Sequence, residues 1–487
     1  MKHPVAPLPA NRREFLRNVG SGFGSLAFAA IASEQAARAS SLPSAADNPL
    51  APKQPHFPAK AKRVILLWMQ GGPSQADLFD YKPRLKTEAG NQVPFSLNSN
   101  TERFDKNARL MPAISDFKQV GQNGMWMSDM LPNLGGKVDE LCFLRAMQTD
   151  SPAHPGAIRI FQTGSLQFVR PSMGSWVVYG LGTENQNLPG FVVISPMLYG
   201  DDGSPLHYSN VFLPAIYQGT RLGDARTPVK NSKIGYLGDP SLTPELQRQH
   251  LDLIQARNRM DESAMGEDRN IEGLIQSYEL AFRMQMKAPE VFDVTKESKA
   301  TLDLYGIGDE DTDNFGRKCL MARRLAEAGV RYIQVTDTGW DHHAKIGTLL
   351  RKSAKGIDKP LTGLLTDLKA RGLLDDTLVI WTGEFGRTPY AQTLMTTAGA
   401  SDTAGRDHNP YCWTMFMTGA GVKQGVVLGE TDEYAWKAVD GKVHVHDLHA
   451  TILHLLGLNH EKLTYRYSGR DFRLTDVYGR VVKEVLA

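Results

Sequence analysis

Asp341, His343 and His408 are the residues whose types best suit metal chemistry in this chain. Carboxylate oxygen and imidazole nitrogen bind zinc and similar divalent ions, and three protein ligands leave a position for water or substrate. The local segments are Gly339-Trp340-Asp341-His342-His343 and Gly405-Arg406-Asp407-His408-Asn409, so His342 and His343 both stand open as the ligand. An Asp-x-His in a loop also reads as a solvated turn or a hydrogen-bonded pair. Glu384, in Gly383-Glu384-Phe385-Gly386-Arg387, is a candidate ligand or general base, with an ion pair to Arg387 as the alternative. Arg387 and Arg406 carry the planar guanidinium that clamps phosphate or sulfate oxygens; ordinary structural pairing is the other reading. Ser74, in Gln70-Gly71-Gly72-Pro73-Ser74, joins Arg406 as a candidate for holding substrate, while Asp77 and Asp80 read as turn-holding residues.

These groups need elements that bring them together. Arg63-Val64-Ile65-Leu66-Leu67-Trp68-Met69 is a continuous apolar run, as expected of a strand buried on both faces of a parallel sheet. Further strands are expected at 191–194, 330–335 and 378–381. Between them, Phe315, Cys319, Ala322 and Leu325 recur at helical spacing before Gly329. Ile357, Leu361, Leu364, Leu365 and Leu368 do the same before Gly372. Strand alternating with helix means an α/β fold with a mostly parallel, doubly wound sheet. Ligands bind beyond the carboxyl ends of such strands, where the candidate residues cluster. Residues 243–293 read instead as two helices without a strand, a helical insertion in which Leu246, Leu253 and Ile254 share one face.

The 487 residues are 41% hydrophobic and 22% charged, ordinary for globular chains, and the net charge of +2 gives no field for nucleic acid. Cys142, Cys319 and Cys412 form no disulfide framework and no Cys-x-x-Cys pair. After the N-terminus no apolar run is long enough for an integral membrane segment. Arg12-Arg13-Glu14-Phe15-Leu16, the weakly apolar stretch Val19–Ala32 and Ala37-Arg38-Ala39 have the order of a twin-arginine signal peptide. Residues 1–39 are therefore expected to engage the twin-arginine export machinery and 40–61 to form a flexible lead-in. The remaining domain, 62–487, is expected in the periplasm or outside the cell.

Several segments together resemble the "domain of unknown function 1501" family of exported bacterial proteins. They include Gly71-Gly72-Pro73-Ser74-Gln75, Leu188-Pro189-Gly190-Phe191-Val192, Gly339-Trp340-Asp341-His342-His343, Gly383-Glu384-Phe385-Gly386-Arg387-Thr388-Pro389 and Gly405-Arg406-Asp407-His408-Asn409-Pro410. That family is similar to the sulfatase and alkaline-phosphatase-like superfamily. His446-Asp447-Leu448-His449-Ala450-Thr451-Ile452-Leu453 looks like a sulfatase helix. The resemblance implies an alkaline-phosphatase-like sheet between helices, a divalent-metal site and hydrolysis of phosphate or sulfate esters. By it, Asp341, His343 and His408 match the ligands of a first metal, and Glu384 matches an acidic ligand of a second.

The chain departs from that pattern at three places. Gln70 ends the first strand where the superfamily has a metal-binding Asp, and Phe385 follows Glu384 where it has a His. Counting back nine residues from Thr163-Gly164, the place of the nucleophile holds His154, a metal ligand, a phosphorylatable group or a plain loop histidine; Ser151 lies three residues away. Cys-x-Pro-x-Arg is absent. Two functions from different classes follow. One is an exported hydrolase of phosphate or sulfate esters that uses a divalent ion, zinc first, with metal-activated water. The other is a degenerate relative that binds anionic envelope or extracellular polymers. Convergence of His154, Glu384, Asp341, His343 and His408 on one place favours the first.

Overall fold

Strand β1 (Arg63–Gln70) is buried along its whole length, and its alternation sorts the side chains to two faces. The computed structural model describes residues 48–96, 108–197, 205–232, 242–265, 269–392 and 403–487. The expected signal peptide lies outside them. Residues Leu50–Ala487 make one compact unit. The other strands that build or serve the site are β2 (Cys142–Gln148), β3 (Phe191–Ile194), β4 (Thr220–Leu222), β5 (Tyr332–Thr338), β6 (Thr377–Thr382), β7 (Gly386–Ala391), β8 (Arg406–Asn409), β9 (Trp413–Thr418), β10 (Val426–Leu428) and β11 (Val443–His444). The longer helices are α1 (His154–Thr163), α2 (Met173–Leu181), α3 (Pro244–Met265), α4 (Arg269–Phe292), α5 (Asp313–Glu327), α6 (Ile346–Ala370) and α7 (Val445–Leu455).

Nine strands form the central sheet in the order β10-β2-β9-β6-β1-β5-β3-β4, with β11 also on β2. β1 pairs parallel with β5 and β6, and β3 pairs parallel with β5 and β4. Only β9 runs antiparallel, between β6 and β2. The protein is thus a mixed α/β fold on a mostly parallel sheet. Ile65, Leu67 and Met69 pack on one face with Cys319 and Leu320 of α5 and Leu361 and Leu364 of α6. Val64, Leu66 and Trp68 pack on the other with Phe161 of α1, Trp176 of α2 and Ile452 of α7. Helices on both faces explain why the central strands are apolar without polar interruption.

Two expectations are corrected. The lead-in expected over 40–61 is docked from Leu50 onward: Leu50 and Ala61 are buried, Lys53 N–H donates to Leu181 O at 2.9 Å, and Lys60 and Ala61 N–H both donate to Leu455 O at 2.8 Å. In the insertion, the face carrying Leu246, Leu253 and Ile254 points outward, with Leu253 72% exposed. The packed face of α3 is Arg248, Leu251 and Gln255, because Arg248 and Gln255 both bond Glu279 of α4. A polar tie therefore set the helix rotation that apolar periodicity alone misassigned. Among the described residues no helix is long and apolar enough to cross a membrane.

Helix α1 starts the site, and its other end is fixed by α7. His449 of α7 is fully buried, and its Nε2–H donates to Phe161 O at 2.6 Å. Burial, with His446 nearby, pulls the His449 pKa down to about 3. An unfolded imidazole takes up its proton near pH ~6.5. Between these values the unfolded chain binds the extra proton, so stability falls as pH drops below about 6.5. Gln at 449 keeps an N–H donor and does not titrate. His449→Gln is expected to lose stability less steeply than wild type between about pH 7 and about pH 4 in urea titrations; equal slopes would remove His449 as a cause.

Candidate metal centre

Four loops leaving the carboxyl edge of the sheet converge. β1 ends at Gln70 beside Thr338, the end of β5, and Trp68 pairs with Thr382, the end of β6. β2, two strands from β6 across antiparallel β9, points the same way and leads to α1. So His154 opens α1, Asp341 and His343 follow β5, Glu384 follows β6, and His408 sits on β8, paired antiparallel with β7. Close approach of the loops needs glycine at Gly71 (φ +121°), where a Cβ would lie 2.4 Å from Asp341 N. At Gly405 a Cβ would lie 2.1 Å from the His343 carbonyl carbon.

His154, Asp341, His343 and His408 each bring one ligand-type atom, all within 4.8 Å of one another. Asp341 Oδ1 is 3.3 Å from His154 Nε2, 2.8 Å from His343 Nε2 and 3.3 Å from His408 Nε2. Each imidazole is held from behind at Nδ1. His154 Nδ1–H donates to Glu384 Oε1 at 2.7 Å, His408 Nδ1–H to Pro152 O at 2.6 Å, and His343 Nδ1–H to Gln392 Oε1. These acceptors fix the same tautomer three times and leave three Nε2 lone pairs facing one point. His343 Nε2 and His408 Nε2 lie only 2.9 Å apart. Two lone pairs so placed repel unless a proton or a cation lies between them. His154 Nε2 is buried and, among the described residues, meets no hydrogen-bond partner at proper geometry. An orphaned nitrogen, a converging donor set and a side chain, Asp341, left partly open to solvent fit a divalent ion of the zinc type.

The electrostatics run the same way. Burial disfavours charge on Asp341, but the His154, His343 and His408 imidazoles gathered on it, with Arg387 beside it, hold its carboxyl far below the usual range. Burial also opposes a charged His154, and the Asp341 and Glu384 carboxylates overcome it, raising its pKa to about 9. His408 is held low by burial and by Arg387. His342, buried and turned out of the cluster, is lowered to about 4 by burial and Arg387, which leaves His343 as the histidine of the pair that joins Asp341.

The other candidate residues take different places. Glu384 is fully buried and bonds Gly71 N–H at 2.9 Å and His154; it does not pair with Arg387. It orients the His154 ring from behind. Arg387 is also fully buried, donating to Asp341 Oδ1 at 2.5 Å, Gly72 O at 3.0 Å, Arg406 O at 3.1 Å and Gly71 O. Four of its five N–H donors fix Asp341, β8 and the β1 turn, and complete burial keeps the guanidinium from an oxyanion. Arg406 forks onto Asp77 at 2.7 and 3.0 Å and gives two further donors to Thr388 O and Pro112 O. Ser74 Oγ–H donates to the same Asp77 at 2.6 Å. Arg406 and Ser74 are therefore structural, removed from substrate by complete burial. Phe385, which cannot ligate, packs against the rings of His154 and His408, 4.8 and 4.4 Å away. Ser151 Oγ–H is spent in a turn, bonded to Ala153 O at 3.0 Å. Gln392 and the Pro152 carbonyl gave no signal in the sequence, since neither an amide after a strand nor a backbone oxygen marks chemistry by type.

Fold and cluster define an α/β protein with a histidine–carboxylate centre at the carboxyl edge of its sheet. The chain belongs to the family described as "Protein of unknown function (DUF1501)", whose model matches residues 61–486. No curated protein matches the chain. Among solved structures it is similar to a protein in the alkaline phosphatase superfamily from Vibrio parahaemolyticus, at 11% identity and TM-score 0.37, over 92% of this chain and 75% of that one. It is also similar to the lipoteichoic acid synthase LtaP from Listeria monocytogenes, at 11% identity and TM-score 0.37, over 87% of this chain and 78% of that one. A third is the PsFucS1 sulfatase from Pseudoalteromonas sp., at 13% identity and TM-score 0.35, over 82% of this chain and 68% of that one.

The buried Arg406–Asp77 pair supports β8, and hence His408. Removing one partner strands the other charge without water. Asp77→Ala is expected to lower stability by about 3–5 kcal/mol in urea unfolding; a loss below about 1 kcal/mol would mean that Arg406 finds other partners.

Proposed function

We propose that the protein is an exported, metal-dependent hydrolase of phosphate or sulfate esters, in which His154, Asp341, His343 and His408 hold one divalent ion. Three Nε2 lone pairs, each fixed by an acceptor behind its ring and turned on one carboxylate oxygen, carry this reading. Zinc suits three imidazoles and a carboxylate. Such an ion supplies Lewis-acid activation of an ester and of water. The chain's own part is positioning: Glu384 sets the His154 ring, Gln392 sets His343, the Pro152 carbonyl sets His408, and Arg387 holds Asp341. His154 stands where the superfamily resemblance places a nucleophile. Glu384 on one nitrogen and Asp341 before the other make it a ligand in this reading, so attack falls to water. The twin-arginine motif at Arg12-Arg13 supports export of a folded, metal-loaded protein.

Hydrolysis of p-nitrophenyl phosphate and p-nitrophenyl sulfate tests the reaction. Zinc-loaded protein is expected to cleave one of them, chelator to stop it, and Asp341→Ala to lose it. Turnover unchanged by chelator would overturn the metal requirement. A loaded protein that cleaves neither ester would move the reading toward a binder of anionic polymers. Glu384→Gln is expected to weaken zinc affinity about 10–100-fold without abolishing it, because it orients a ligand and is not one. Competition with a colorimetric chelator reads that difference. His154 binds only when neutral, and the Asp341 and Glu384 carboxylates raise its pKa to about 9, so zinc affinity measured the same way is expected to fall as pH drops below about 9.

A further inference from the structure

A second concave surface is walled on one side by the chain that leaves α1. Three distant segments build it: Phe168–Arg170, which follow α1; Val211 and Phe212; and the hairpin of Tyr465–Tyr467 and Arg470–Phe472. The pocket encloses about 400 Å³. Its aromatic rings are layered: Phe212 stacks on Tyr467 with centroids 5.0 Å apart and 16° between planes, and on Tyr465 at 5.9 Å and 18°. Phe168 and Tyr467 remain 63% and 48% exposed, which no core requirement explains. Arg170 and Arg470 lie 5.4 and 4.9 Å from the Phe472 ring. Both contact the single carboxylate of Asp476, Arg170 at 3.0 Å, so two guanidiniums share one negative charge. Arg170 is buried, and its Nε has no hydrogen-bond partner among the described residues.

We propose that this surface docks a sulfated polysaccharide. The C–H face of a sugar ring packs on an aromatic face, and rigid rings bind at little cost in entropy. The uncompensated positive charge and the spare Arg170 donor suit a singly charged sulfate ester, to which the weakly hydrated guanidinium is matched. A nucleic-acid strand also stacks on rings, but it needs a basic groove, which one net charge does not make. α1 has 10 residues, so its ends lie about 15 Å apart. His154 opens it at the metal cluster, and the chain leaving it forms one wall of the platform. The platform would thus hold a polymer on the same unit as the centre where its esters are cut, and in that use it rests on the hydrolase reading; docking itself does not.

Affinity electrophoresis of the full chain in gels containing dextran sulfate, neutral dextran or a single-stranded oligonucleotide tests it. Wild type is expected to be retarded by dextran sulfate and hardly by the other two. Phe168→Ala/Tyr467→Ala removes two exposed rings and no charge, and is expected to bind dextran sulfate about tenfold more weakly with an unchanged melting temperature. Asp341→Ala/His408→Ala, which empties the proposed metal centre, is expected to bind as wild type does, so loss of hydrolysis and loss of docking are read separately. Equal retardation of wild type and the ring variant, equal retardation by neutral dextran, or tighter retention by the oligonucleotide would each overturn the proposal.

Discussion

Asp341 Oδ1 is approached by three imidazole nitrogens and one guanidinium, and the arrangement of the sheet edge depends on keeping them there. They come from three separate parts of the chain, the start of α1, the loop after β5 and the β7–β8 pair, so no local segment can hold the group together. The restraint is applied from behind. Glu384, Gln392 and the Pro152 carbonyl each take one ring N–H, and Arg387 fastens Asp341 to the Gly71-Gly72 turn. Acceptors at Nδ1 leave only lone pairs at the front, and lone pairs gathered within hydrogen-bond distance are costly without a cation or proton. The cost of that gathering is met by the buried network behind it.

The rest of the fold keeps that network in register. Parallel pairing of β1 with β5 and β6 brings three loops level at one edge, and antiparallel β9 turns β2 to deliver α1 to the same edge. α1 is fastened at its far end by His449 of α7. The hairpin of β7 and β8 carries Arg387 and His408 together, and the fully buried Arg406–Asp77 pair ties that hairpin to the turn after β1. Two arginines that look like substrate clamps in the sequence are thus the internal braces of the site.

The elements were legible because strands buried on both faces leave long apolar runs, and the runs at 64–69 and 378–381 lie within β1 and β6. Asp341, His343 and His408 stood out because a metal-type residue after a buried strand is conspicuous. His154 stood out only by counting back from Thr163-Gly164. What residue type cannot carry is burial and partner choice. Arg387, Arg406 and Ser74 are polar residues beside a site, and nothing in their spacing shows that they are buried on internal partners. The rotation of α3 was hidden for the same reason, since Glu279, thirty-one residues from Arg248, decides it. The aromatic platform joins segments that lie near one another only after the sheet has formed.

The most direct measurement is X-ray absorption at the zinc edge of the purified, zinc-saturated protein, with elemental analysis for stoichiometry. One ion per chain with three imidazole nitrogens and a carboxylate oxygen, reduced by one imidazole in His154→Ala, is the expected result. A chain that takes up no zinc, manganese or calcium after incubation, or an ion whose coordination does not change in His154→Ala, would contradict a metal centre built on these four residues.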